Sequence, residues 1–342
     1  MKFRIATAWH TLAVLLLLGG TAQASLGDRL PDFKDCVQVC KEANCGPDGT
    51  SIPFHRRLLL WDCPSECDYT CQHIVTAQRL ARDPPYMQPI YQFHGKWPFY
   101  RFMGMQEPFS VVFSLFNYLA HDWGMSQLRD KIPASYPLRK YYLWFGYVGL
   151  ASWTFSMIFH TRDFGLTEKL DYFAAGANVL YGLYYAPIRV FRLDRKEPRK
   201  QSLLRLWTGL CITLYTLHVL YLSLWSWDYT YNMAANVAVG VVANLLWSGF
   251  SYVQYQKIGR TWAVWPGLCV AWIISAMSLE LLDFPPWKGM IDAHSLWHLG
   301  TVLPTVLWYN FLVRDAQEDI AGKLPTAGYG AGAGAGTWKD KN

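Results

Sequence analysis

Between Pro108 and Leu312 apolar residues dominate in long runs separated by short polar or charged breaks. Seven such runs are legible, at about 108–127, 141–160, 171–191, 203–222, 232–252, 262–281 and 292–312, each near the ~20 residues a helix needs to cross a hydrocarbon core. In lipid every backbone amide must be satisfied within the chain, so helices are the expected form. The pattern predicts an all-α membrane protein with seven transmembrane helices over residues 108–313. The first run is the weakest, because Asn117 and His121 interrupt it.

The two ends read differently. Lys2 and Arg4, the apolar run Leu12 to Leu18, and Ala22-Gln23-Ala24 together predict a secretory signal peptide over residues 1–24. The alternative is an uncleaved N-terminal anchor. Residues 25–107 are more polar and hold Cys36, Cys40, Cys45, Cys63, Cys67 and Cys71. Six cysteines behind a signal peptide predict a small luminal domain stapled by three disulfides, with all fifteen pairings open. Cys-x3-Cys spacing recurs, so a zinc module is the competing reading. Cys211 and Cys269 lie in apolar runs and are expected to pack between helices. Residues 314–342 contain an alternating Gly-Ala stretch that cannot bury a core, and a disordered cytosolic tail is expected there.

Composition agrees with the runs. Charged residues are 16% of the chain, below the roughly 25% of soluble domains, and apolar residues are 52%. That balance excludes a disordered chain and argues against a soluble enzyme. Mean hydropathy is only +0.06, because polar ends dilute the apolar middle and Trp and Tyr score as mildly polar. The net charge of +6 does not call for nucleic acid, because loop cations can follow membrane topology. With residues 25–107 luminal, the expected cytosolic loops hold Arg129, Lys131, Arg139, Lys140, Arg192, Arg195, Lys196, Arg199, Lys200, Lys257 and Arg260. The luminal loops hold only Arg162, Lys169 and Lys288. The asymmetry predicts a luminal N-terminus and a cytosolic C-terminus.

Ionisable residues in apolar runs are costly, so they are candidates for chemistry. His160 closes the second run, Asp171 opens the third, and His294 and His298 open the seventh; the expected topology places all four at the luminal ends. Ser156 and His160 are spaced i and i+4, as are His294 and His298, so each pair shares a helix face. Three histidines on two helices with one open position match a catalytic zinc site. Asp171 is then placed to orient or deprotonate water, and Ser156 to hydrogen-bond water or a developing oxyanion. Each has a plainer reading: a packed imidazole pair, a helix-interface serine, or an acid favoured by a helix N-terminus. Glu280 and Asp283 close the sixth run, and His121 and His218 sit singly in theirs and read as core residues.

Ser-x3-His, an Asp eleven residues later, and His-x3-His in the last run resemble the CREST superfamily of seven-span membrane hydrolases, which includes alkaline ceramidases and the progestin and adipoQ receptors. QFHGKWPFYR (92–101), FHTRDFGLTEKLDYF (159–173), DYTYNMAANVAVG (228–240) and LELLDFPPWKGMIDAHSLWH (279–298) resemble more narrowly the Per-one-like family of post-GPI-attachment factors. The likeness covers about residues 30–313. It implies a GPI-specific phospholipase A2 of the ER or Golgi, removing the sn-2 acyl chain from the GPI lipid of GPI-anchored proteins. It further implies zinc on His160, His294 and His298, with Ser156 and Asp171 assisting hydrolysis. The other readings are a receptor, a ceramidase-like amidase and a non-catalytic partner of GPI processing.

Overall fold

The computed structural model describes residues 25–46, 52–82 and 90–324. The expected signal peptide and the Gly-Ala stretch lie outside the described residues. The chain is all-α. Among the described residues, three N-terminal helices come first: α1 (Pro31–Asn44), α2 (Phe54–Leu58) and α3 (Cys63–Leu80). Seven long ones follow: α4 (Pro108–Lys131), α5 (Arg139–Thr161), α6 (Gly165–Val190), α7 (Pro198–Leu220), α8 (Tyr229–Ile258), α9 (Trp265–Leu282) and α10 (Ala293–Ile320). The last helix runs to Ile320, past the Arg314 at which the tail was expected to begin.

The expectation of seven membrane spans is corrected. Among the described residues, three stretches are long and apolar enough to cross a membrane: Pro198–Trp225, Tyr229–Ile258 and Thr261–Leu282. Three of the other long helices, α4, α5 and α10, place polar groups among their buried positions. Ser110, Ser114, Asn117 and His121 of α4, Ser152, Ser156 and His160 of α5, and Ser295, His298, Thr301 and Asp315 of α10 are all buried. Helix length alone therefore overstated the number of spans, because these helices use much of their surface on one another.

The three predicted disulfides are present at the N-terminal end, between α1 and α3. Cys36 and Cys40 lie one turn apart on α1, and Cys67 and Cys71 one turn apart on α3. The helices pack together with the bridges Cys36–Cys71, Cys40–Cys67 and Cys45–Cys63 as successive rungs. Rising positions on one helix meet falling positions on the other, which is the register of an antiparallel pair. Cys45, Cys63 and Cys67 also lie close enough for a metal, but their sulfurs are consumed in these bridges. Phe33, Val37, Val75 and Phe93 fill the small core behind them. So small a core needs covalent staples.

α4 packs on α5 and α10, α5 on α6, α6 on α8, and α9 on α10. Tyr142, Tyr185, Trp247, Tyr309 and Phe311 form the aromatic centre of this bundle. The free cysteines Cys211 and Cys269 are buried, as expected of packing residues. Between the disulfide domain and the bundle, Arg101 lies over the rings of Trp61 and Tyr69 and pairs with Glu66 at 2.7 Å. Burial pulls the Arg101 guanidinium down to about 10, against the opposing charge of Glu66. Arg162, just past α5, also lies over Trp61 and reaches Ser65. These contacts seat the disulfide domain against the end of α5.

Three tight turns border that end: Phe93–Lys96, Phe102–Met105 and Trp287–Ile291. Each has a left-handed residue followed by a left-handed glycine: His94-Gly95, Met103-Gly104 and Lys288-Gly289. Two successive positive φ values define a type I′ turn, which suits glycine at the second position. Gly289 has a further reason to be glycine. Its carbonyl accepts from the Tyr100 amide, and an added Cβ would lie 2.4 Å from the Tyr100 ring.

Candidate metal centre

Helix ends position the three histidines. A capping box starts α10: the Asp292 carboxylate accepts from the Ser295 amide at 2.8 Å, and the Ser295 hydroxyl accepts from the Asp292 amide at 3.0 Å. It sets the first turn, which carries His294, with His298 one turn on. Asp292 is buried and its carboxyl is held above the usual carboxylate range by desolvation, against the hydrogen bonds of Ser295. His160 sits in the last turn of α5, and its carbonyl accepts the Glu107 amide at 3.0 Å. That bond joins the end of α5 to the start of α4.

His160, His294 and His298 each offer a ligand atom, and the three atoms lie within 4.8 Å of one another. The Nε2 atoms of His160 and His294 are 3.4 Å apart. A tetrahedral ion with bonds of about 2.0–2.1 Å would space its nitrogens about 3.3 Å apart. Each Nδ1 faces away to its own partner. His160 Nδ1 meets Glu107 Oε2 at 2.9 Å, His294 Nδ1 meets Glu280 Oε2 at 2.6 Å, and His298 Nδ1 meets Ser114 Oγ at 2.9 Å. Carboxylates or hydroxyls on the outer nitrogens fix ring orientation and leave the inner nitrogens for a cation. The donor set therefore fits a zinc-type ion, and the three histidines can hold a metal.

The charges behind the histidines are balanced. Lys96 pairs with Glu107 and, at 3.1 Å, with Asp163, and lies over the Phe159 ring. Desolvation alone would lower the Lys96 pKa, but Glu107 and Asp163 outweigh it and hold it above the ordinary lysine value. Burial would raise the Glu107 carboxyl, but Lys96 and His160 hold it well below the usual range. Glu107 thus stays an anion in a buried setting, as an orienting partner of imidazole requires.

The remaining predicted residues fall around this cluster. Ser156 is buried, and its hydroxyl contacts Ser114 Oγ at 3.1 Å, so it reaches His298 through Ser114. Asp171, in the second turn of α6, is half-buried and interacts electrostatically with His160 and His294. Asn117, flagged only as an interruption, donates to the His298 carbonyl at 2.7 Å and accepts from Thr301. Asp283 instead binds Gln92 and Trp97 across the turns. His121 packs on Tyr309 and Gly149, and His218 on Tyr231; neither joins the cluster. Sequence reasoning missed the roles of Glu107, Ser114 and Lys96. The one visible signal was an acid directly before the Pro108 helix start.

Comparisons with known proteins are consistent with this geometry. A model of the Per1-like family matches residues 53–316. The chain is 43% identical over 300 residues to Protein PER1 homolog of Schizosaccharomyces pombe, covering 87% of this chain and 89% of that protein. It is 39% identical over 319 residues to the GPI-specific phospholipase A2-like PGAP3 of Danio rerio, covering 92% and 97%. The human protein of the same description is 37% identical over 313 residues, covering 89% and 94%. No solved structure matches the chain.

Proposed function

The chain belongs to the Per1-like family, a GPI-lipid-remodelling hydrolase family, and from that premise we propose that it hydrolyses the sn-2 acyl ester of GPI lipid. The products are a lyso-GPI and a free fatty acid. The observation that carries the reading is three inward imidazole nitrogens, each backed by an acid or hydroxyl on its outer nitrogen. His160, His294 and His298 would hold zinc. Zinc, when bound, lowers the pKa of water toward neutrality and polarises an ester carbonyl.

The chain's own groups have distinct tasks. Asp171, on α6, interacts electrostatically with His160 and His294 and would take a proton from the attacking water. Ser156, held by Ser114, donates a hydrogen bond toward the ester oxygen as charge develops there. Glu107 and Glu280 keep His160 and His294 in one ring orientation. We place the centre on the luminal face of the ER or Golgi membrane. Support comes from the disulfide domain, which needs an oxidising compartment and packs beside the end of α5. GPI-anchored proteins and membrane lipid are the partners this reading requires.

His160→Ala and His294→Ala should give folded, membrane-delivered protein that leaves the unsaturated sn-2 chain on GPI. Lipid mass spectrometry of GPI anchors from deficient cells expressing each variant reads this directly. Restoration of remodelled lipid by either variant would overturn the hydrolase assignment. Elemental analysis should find about one zinc per chain, lost in His298→Ala. Well-folded protein without metal would remove zinc from the mechanism.

A further inference from the structure

The end of the molecule that carries the histidines also carries a surface the proposed reaction does not use. Three segments distant in the chain build it. The Trp61 indole donates to the Gly104 carbonyl at 2.8 Å, and Leu59 and His55 lie against Gly104 itself. These contacts join α2 and the residues after it to the Phe102–Met105 turn. The Tyr100 amide donates to the Gly289 carbonyl at 2.8 Å, which joins that turn to the Trp287–Ile291 turn.

The outward side of this surface is apolar. Phe54 and Leu58 are spaced i and i+4 on α2, so they share a helix face, and both are exposed. Phe102 and Trp287 are exposed on the other two segments. Leu60 is 65% exposed and Met103 73%. Single exposed apolar residues are ordinary, but a cluster on joined segments marks an interaction surface.

The backbone at two of these positions is an independent observation. Leu60 and Met103 have φ of 61° and 51°, in the left-handed region that suits glycine, asparagine and aspartate. A leucine or methionine there carries a backbone cost, yet most of each side chain stays outside the core. Packing within the chain does not offset that cost, so the compensating contact has to come from outside it.

The position of the surface identifies what covers it. α9 belongs to the candidate span Thr261–Leu282, whose last two residues, Leu281 and Leu282, are both exposed. Asp283, the next residue, accepts from Gln92 and Trp97, and Trp287 follows the span by five residues. Five residues reach at most about 17 Å, so the Trp287 turn stays near the membrane boundary at which the span ends. The exposed Lys288 lies over the Trp287 ring at 4.8 Å, and Arg57 is exposed beside Leu58. An aromatic ring and long cations beside apolar side chains suit the headgroup boundary of a bilayer.

We propose that this surface rests on the phospholipid leaflet in which α9 ends. Leu58, Leu60, Phe102 and Met103 enter about 5–10 Å into the boundary between headgroups and acyl chains. Trp287 lies at headgroup depth, and Arg57 and Lys288 meet lipid phosphates. The same contact is expected whether or not the histidines hold metal.

The test uses the full-length chain in phosphatidylcholine nanodiscs, with the photo-crosslinker benzoylphenylalanine in place of Leu60, Met103 or Gln38, one at a time. Gln38 is the control, exposed on α1 beside Lys34, Lys41 and Glu42, a mixed-charge surface that a bilayer would not cover. Mass spectrometry after irradiation reads phospholipid adducts. Adducts at Leu60 and Met103 should exceed those at Gln38 at least fivefold. Adducts no higher than at Gln38 would overturn the proposal, as would crosslinks to a second copy of the chain, or to another protein in native membranes, in place of lipid. Leu60→Asn and Met103→Asn, made together, suit the left-handed backbone and should fold. Relief of backbone cost alone would raise the melting temperature in nanodiscs, whereas loss of the lipid contact should lower it by several degrees. A melting temperature equal to or above the parent's would overturn the proposal as well.

Discussion

At the scale of single residues, the centre depends on groups that do not themselves reach the inner face. Glu280 accepts from or pairs with His294 at 2.6 Å, on the far side of the ring from His160. Glu280→Gln keeps the shape but loses the charge that orients the imidazole. It should weaken zinc binding by about 10- to 100-fold, as losses of such outer partners do, while the circular dichroism spectrum stays helical. Competition with a chelator of known affinity measures this without reference to turnover. Unchanged affinity would mean that His294 is oriented by packing alone. The sequence displayed the i and i+4 pairs Ser156/His160 and His294/His298, because helix geometry makes them local. It could not display Glu107 beside His160, 53 residues away, because that contact exists only where the start of α4 meets the end of α5.

At the scale of elements, the turns around the centre act as a frame. The Trp287–Ile291 turn leads directly into the Asp292 cap of α10, and Gly289 within it is held against Tyr100. Gly289→Ala demands a left-handed alanine and pushes a Cβ into the ring. It should destabilise the protein by about 1–3 kcal/mol, visible as a lower melting temperature. A melting temperature equal to the parent's would show that the turn can rearrange freely. The cysteine helices illustrate legibility from the other side. Six cysteines announced three bridges, but the choice among fifteen pairings needed the antiparallel packing of α1 on α3.

At the scale of the whole molecule, the bundle is closed at the end remote from the histidines by buried ion pairs. Arg189 and Asp315 are almost wholly buried and share two hydrogen bonds of 2.6 Å, while Arg192 grips Asp319. Asp315→Ala would strand a buried guanidinium between α6 and α10. A loss of about 3–5 kcal/mol is expected, read as reduced yield of folded protein and a lower melting temperature. Replacing Arg189 and Asp315 together with apolar residues of similar volume should recover much of that loss. If the single variant matches the parent, the pair contributes nothing to closing the bundle.

The sequence by itself determined that the chain is helical and apolar through its middle, that its cysteines form bridges, and which local spacings suit a metal. Those features are set by periodicity and side-chain chemistry within a few turns. It did not determine how many helices are apolar enough to cross a membrane. Length was read as exposure to lipid, whereas α4, α5 and α10 direct serines, asparagine and histidines at one another and leave three candidate spans among the described residues. Only the tertiary structure decided the disulfide register, the partners of each imidazole and the apolar surface shared by three segments. Each of these joins groups distant in the chain, and their meeting depends on which helix faces pack together.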